Sequence, residues 1–304
     1  MKNPKFYFLI FSLLILVACD KVTNPVIKST TTVGSNFIIK TNDDISNYKK
    51  IILEDYTGQR CVNCPEATRI IKTLLKAYGD TLIAIAVHQG GDDSFAAPLG
   101  KNWPNDFRTD AGQEWGSKSN SIGFAIDQYP TGLINRKKYQ SSGPRFSRAT
   151  WTGICAEAKK DPFVLKLNLK TEYDPSKRAL NTYVKGTFLA NYPNPVKVIA
   201  VYMQDSIIGK QEDNGVVIPD YEFEHMLRGD LSGPWGVNVT ASASIKDNVF
   251  DISFLNKALP DSTRYEKYAK GAFTKVNDKK ITVVTFAYDA VTLEILQAEK
   301  VKIR

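Results

Sequence analysis

Cys61 and Cys64 stand three positions apart in GQRCVNCPEAT, between the apolar run Ile51-Ile52-Leu53 and a helical stripe. This placement constrains the chain most, because both sulfurs must fit into the turn between a buried strand and a helix. The stripe is Ala67, Ile70, Ile71, Leu74, Leu75 and Tyr78, with Lys72 and Lys76 on the opposite face and Gly79 as its stop. Pro65 falls in the first turn, where its missing N–H and fixed φ are tolerated. TLIAIAVH, 81–88, is then an unbroken apolar run suited to a parallel strand covered on both faces. Strand, helix and strand within about 40 residues predict a βαβ unit, and hence an α/β domain over 46–160.

The same domain is expected to continue through a Gly- and Pro-rich loop, a short helix carrying Phe107, Ala111 and Trp115, and a third strand at Gly132-Leu133-Ile134. A last helix is expected over 145–159, because Trp151, Ile154, Cys155 and Ala158 share one face. After Asp161 the period changes to two: Leu165, Leu167, Leu169, Thr171 and Tyr173 alternate with Lys166, Asn168, Lys170 and Glu172. Further strands are expected at 181–190, 196–203, 249–254, 281–288 and 293–303. Turn residues separate them, Asp213-Asn214-Gly215 among these. Residues 161–304 therefore read as an all-β sandwich.

The N-terminus sets the compartment. Lys2 and Lys5 precede an apolar run, Phe6 to Val17, too short to span a bilayer comfortably, and Ala18 precedes Cys19. Residues 1–18 are thus expected to be a secretory signal. Leu16-Val17-Ala18-Cys19 resembles the lipobox of bacterial lipoproteins, which implies cleavage before Cys19 and lipid on that residue, with several acyl chains giving a stable anchor. Residues 19–45, polar and rich in Ser and Thr, read as a tether with a short strand at 37–40. The net charge of +8 includes Lys2 and Lys5 of the signal and is otherwise spread along the chain. Without a basic arm or stripe, nucleic acid is not an expected partner.

A thiol pair outside the cytoplasm can be a zinc knuckle, a redox couple or a staple. Zinc needs four ligands, and beyond the pair only His88, His225 and Cys155 remain, none at knuckle spacing. No metal and no cofactor is expected. Redox chemistry has a physical basis: Cys61, just ahead of a helix and beside Arg60, would be stabilised as the attacking thiolate, and Cys64 would resolve the mixed disulfide. Cys155, on the stripe with Trp151, reads as a buried, inert thiol. His88 and the His225/Arg228 pair read as packing residues.

ILEDYTGQRCVNC resembles the active-site stretch of the thioredoxin superfamily, and Tyr129-Pro130-Thr131 resembles its cis-proline loop. The resemblance implies an α/β thioredoxin-like domain, a cis Pro130, and Tyr129, Pro130 and Thr131 as the residues that hold a substrate backbone. It also assigns Asp55, six residues before Cys61, as proton acceptor for Cys64, with neighbouring Glu54 as a rival. Val62-Asn63 and Arg60 depart from the thioredoxin pattern. A wider likeness, through the lipobox, TGQRCVNCP, YPTGLINR and EHMLRGDLSGPWG, is to a Bacteroidetes lipoprotein family named for a twenty-eight-kilodalton outer-membrane protein. That resemblance implies a thioredoxin-like domain followed by an all-β immunoglobulin-like sandwich, lipid-anchored in the outer membrane on a face left open. The expected function is thiol–disulfide exchange with protein thiols or disulfides of the envelope. The alternative is a non-catalytic binding or adhesion lipoprotein in which Cys61–Cys64 is a structural disulfide.

Overall fold

The computed structural model describes residues 37–42, 47–267 and 271–304. The expected signal at 1–18, Cys19 and most of the expected tether lie outside these residues. In chain order the main elements are β1 (Ile38–Thr41), β2 (Ile51–Thr57), α1 (Cys64–Tyr78), β3 (Leu82–His88), α2 (Asp110–Gly116), β4 (Thr131–Ile134), β5 (Arg145–Ser147) and α3 (Trp151–Ala158). Strands then dominate: β6 (Leu165–Asp174), β7 (Ala179–Phe188), β8 (Val196–Gln204), β9 (Ile207–Asp213), β10 (Val216–Phe223), β11 (Met226–Asp230), β12 (Val237–Asn238), β13 (Val249–Ala258), β14 (Ser262–Thr263), β15 (Thr274–Lys275), β16 (Ile281–Asp289) and β17 (Ile295–Lys302).

The predicted βαβ unit is present locally, since β2 and β3 run parallel with α1 between them. The α/β thioredoxin-like domain expected around it is not formed. The β2–β3 pair is instead built into a nine-stranded sheet ordered β17-β16-β8-β11-β3-β2-β4-β5, with β12 joined to β8. The strand that makes this possible is β11, parallel to β3 on one side and antiparallel to β8 on the other. Its sequence, MLRGD, mixes apolar and charged residues without a clean period, and so reads as loop.

The sheet curls until its β17 edge returns to the β2 and β4 ends. Ile295 N–H donates to the Asn135 carbonyl at 2.9 Å. Lys50 N–H donates to Gln297 Oε1 at 2.7 Å, and Lys50 Nζ lies 2.6 Å from Glu299. Inside the curl, Ile52, Tyr56, Ile85, Val201, Phe286 and Ala298, drawn from both halves of the chain, share one core with Trp115 of α2. Outside it, α1 and α3 cover Ile51, Leu53, Leu82 and Ala84. The sheet β1-β6-β7-β13 covers the outer side chains of β8, β16 and β17, so the β-rich half makes a two-layer packing, one layer of which is the sheet that also holds β2 and β3.

Strand parity follows directly. Ile52, Glu54 and Tyr56 point into the curl, whereas Ile51, Leu53 and Asp55 point towards α1. The helix expected from 145 starts at Trp151, because Arg145–Ser147 pairs with β4 and edge pairing outweighs the helical stripe there. Gly132 in β4 permits this packing, since a Cβ there would lie 2.3 Å from Trp151 Nε1.

Candidate functional site

Strand β2 delivers the chain to the cysteines. Cys61 N–H donates to the Gly58 carbonyl at 3.0 Å, closing a turn, and Cys64 opens α1 with Pro65 behind it. Cys61 and Cys64 form a disulfide with Cα atoms 5.4 Å apart. Both residues are buried, at 3% and 2% exposure.

Two segments seal them. The loop 94–97 crosses one side so closely that a Cβ on Gly58 would lie 2.6 Å from the Phe95 carbonyl carbon. Arg60 N–H donates to the Phe95 carbonyl, and the Arg60 guanidinium donates to the carbonyls of Ser94 and Ala97 at 2.5 and 3.2 Å. The Arg60 guanidinium is therefore hydrogen-bonded to this loop. On the other side lies the β9–β10 hairpin. Gln211 Nε2 donates to the Cys61 carbonyl at 3.1 Å, Glu212 N–H to the Gln59 carbonyl at 2.9 Å, and Asn214 N–H to the Val62 carbonyl at 3.2 Å. Gln59, fully buried, ties the turn to the Asn105 carbonyl at 2.7 Å.

The Tyr129–Pro130 bond is cis, as the resemblance implies. Thr131 pairs with Tyr56 and Gly132 with Asp55, so the expected substrate-holding residues and the end of β2 lie side by side. Tyr129 Oη donates to the Gln89 carbonyl at 2.6 Å, and its ring meets Phe95 edge-on at 6.4 Å. Asp55 is 2% exposed, and burial pushes its carboxyl up to about 8. Its rival Glu54 points the other way and is held by Arg136. Burial likewise raises the Cys155 thiol to about 12, in keeping with an inert core cysteine.

Beyond the 94–97 loop opens a cleft of about 950 Å³, bordered by Gln89, Phe95, Gln113, Glu114, Tyr129 and Trp235. The hairpin cover and this cleft were missed by sequence reasoning. Asp213-Asn214-Gly215 was legible as a turn, and with flanking β-formers it is a hairpin signal. Which surface the hairpin would cover was not legible, because its partners Gly58 to Val62 lie about 150 residues earlier.

The turn, the hairpin and the cleft thus meet on one curled β-sheet, with the Cys61–Cys64 disulfide buried between the 94–97 loop and the hairpin. The family of outer membrane protein Omp28 matches residues 120–304. The chain belongs to this family, as an outer-membrane lipoprotein. No curated protein matches it. Among solved structures, HBP35 of Porphyromonas gingivalis is similar at a TM-score of 0.56 and 16% identity, covering 84% of this chain and 76% of that one. An Agrobacterium tumefaciens protein reaches a TM-score of 0.46 at 12% identity, covering 85% and 96%. A domain of the outer membrane lipoprotein Omp28 from Porphyromonas gingivalis reaches 0.28 at 19% identity, covering 47% and 91%. At these identities the first likeness bears on fold alone. No helix among the described residues is long and apolar enough to cross a membrane.

Proposed function

We propose that this chain is a binding lipoprotein of the outer membrane in which Cys61–Cys64 is a structural staple and the cleft beside Tyr129 takes the ligand. The observation that carries this reading is the burial of both sulfur-bearing residues beneath the 94–97 loop and the β9–β10 hairpin. Disulfide exchange requires in-line approach of a second sulfur, and neither cysteine leaves room for one. The staple closes only a short loop, so its chain-entropy contribution is about 2 kcal/mol. A Cys61→Ala/Cys64→Ala variant should lose about that much in urea unfolding while retaining its fold and ligand binding.

The cleft sets the ligand class. Its volume suits a small molecule. Aromatic rings of Phe95, Tyr129 and Trp235 stand beside the carboxylates of Asp110 and Glu114 and the ammonium of Lys118. Stacking faces with mixed donors and acceptors match a hydroxyl-rich ligand, saccharide-like in chemistry. Titration of the protein with neutral oligosaccharides, read by tryptophan fluorescence, is expected to saturate, and Phe95→Ala should weaken binding about tenfold. No saturable response to any of them would defeat the ligand class.

Thiol–disulfide exchange with envelope proteins is the second reading, favoured by the buried Asp55 on the α1 face, whose pKa burial raises to about 8. It requires the hairpin and the 94–97 loop to part from the cysteines.

A further inference from the structure

Asp205 follows β8, and Glu224 and His225 lie between β10 and β11, so three potential metal ligands meet where the hairpin joins the sheet. One ligand atom from each lies within 4.8 Å of the others. The geometry is anchored. Asp205 Oδ1 accepts the His225 backbone N–H at 2.8 Å and sits 3.2 Å from His225 Nδ1. The His225 carbonyl accepts the Ala86 N–H of β3 at 2.9 Å, and His225 holds a φ of 55°. This backbone conformation is uncommon for a residue other than glycine. The side chains are 29% and 25% exposed for His225 and Asp205, so an ion can reach them from solvent.

A second, independent observation comes from β2. Asp55 is 2% exposed, and its Oδ1 has no hydrogen-bond partner. It lines a cavity of about 20 Å³ together with Glu224, His225 and Lys72. That volume holds about one water molecule. A buried acceptor without a donor is costly, and a polarised water in this cavity would supply the missing hydrogen bond. Lys72 brings one positive charge to the cavity wall against three carboxylates in or beside the cluster.

We infer that Asp205, Glu224 and His225 form a site for a first-row divalent cation of the zinc type, with Asp55 as the positioning residue that accepts a hydrogen bond from a metal-bound water. Zinc takes imidazole nitrogen and carboxylate oxygen at about 2.0–2.2 Å, so donors on one tetrahedral ion lie roughly 3.3–3.6 Å apart. The three side chains need to close by less than about 1.5 Å. An imidazole among the ligands favours zinc or a similar transition metal over calcium or magnesium, which take oxygen. Three protein ligands leave the fourth position for the water that faces Asp55. The knuckle logic applied to the cysteines could not find this site, because its ligands are carboxylates and one histidine from separated segments.

Tag-free protein, stripped with chelator and titrated with zinc ion against a chromophoric competitor, tests the site. The wild-type chain is expected to take up one equivalent with a Kd of about 10 µM or tighter. His225→Ala and the isosteric Glu224→Gln should each weaken binding at least about tenfold, and Asp55→Asn should weaken it by a smaller factor, in the manner of outer-shell partners. Far-UV circular dichroism confirms that each variant is folded, and Glu224→Gln, at a half-buried position, keeps the test decisive if His225→Ala is not. X-ray absorption at the zinc edge should report nitrogen and oxygen ligands without sulfur. No stoichiometric uptake by the wild-type chain, or unchanged affinity in a folded Glu224→Gln or His225→Ala variant, which would mean an adventitious ion only, overturns the proposal.

Discussion

Replacing Arg136 with alanine is expected to cost about 3–5 kcal/mol of stability, a large fraction of what a domain possesses. Arg136 is 2% exposed inside the curled sheet. Its Nη2 and Nε donate to Glu54 Oε1 and Oε2 at 2.5 and 2.9 Å, a bidentate pairing. Its guanidinium carbon also lies 4.7 Å from the Trp115 ring centre, 5.1 Å from those of Phe124 and Phe286, and 5.8 Å from that of Trp235. Removing the cation therefore leaves a fully buried Glu54 carboxylate without a partner and opens a void among four aromatic rings. The double change Glu54→Leu/Arg136→Met, which removes both charges and refills the space, should cost far less. Urea unfolding followed by tryptophan fluorescence measures both. A loss below about 1 kcal/mol in Arg136→Ala would show that the pair is not holding the curl together.

The second large effect is on acid stability. His88 ends β3 with 1% exposure, and its ring is met edge-on by Phe107 and Phe223 at 5.4 and 6.0 Å. Neither ring nitrogen has a hydrogen-bond partner. Burial, and then the charge of Arg228, lowers its pKa to about 3. The unfolded chain takes up a proton near pH 6.5 while the folded chain does not, so unfolding binds a proton between these values. Stability from this group is complete above about pH 6.5 and falls as the pH drops towards 3. The slope is about 1.4 kcal/mol per pH unit, or roughly 3 kcal/mol between pH 6.5 and 4.5. His88→Leu should flatten that limb of the stability profile. An unchanged slope in a folded His88→Leu variant would place the acid sensitivity elsewhere.

These two residues also show where the sequence is legible. Local periodicity located β2, α1, β3, β6, β8 and β16 closely, because each buries one face or both and the pattern records it. His88 reads as a strand-end residue, and it is one. What failed was assembly. β2 and β3 have the apolar runs of a strand covered on both faces, and that pattern does not say whether helices or a curled sheet provides the cover. The decisive element, β11, carries Arg228 and Gly229 and lacks a period, so the join between the halves was invisible. In the sequence Asn135 and Arg136 are no more than the tail of YPTGLINR, without a period or spacing that marks them. Their importance comes from partners on β2, with Asn135 Oδ1 accepting the Ile52 N–H at 3.0 Å, across more than 80 residues of sequence. For the cysteines, spacing and a following helix were legible, whereas solvent access depends on the hairpin and the 94–97 loop.

Solvent access to the disulfide can be measured directly. Native protein, equilibrated in glutathione buffers of graded potential and quenched with a maleimide that adds mass to free thiols, is read by mass spectrometry. A sealed staple predicts that Cys61 and Cys64 stay unlabelled until the poise is more reducing than about −300 mV, and that the protein does not turn over insulin disulfides. A midpoint between about −120 and −270 mV, with sustained insulin reduction abolished by Cys61→Ser, would contradict it and make the chain an exchange enzyme.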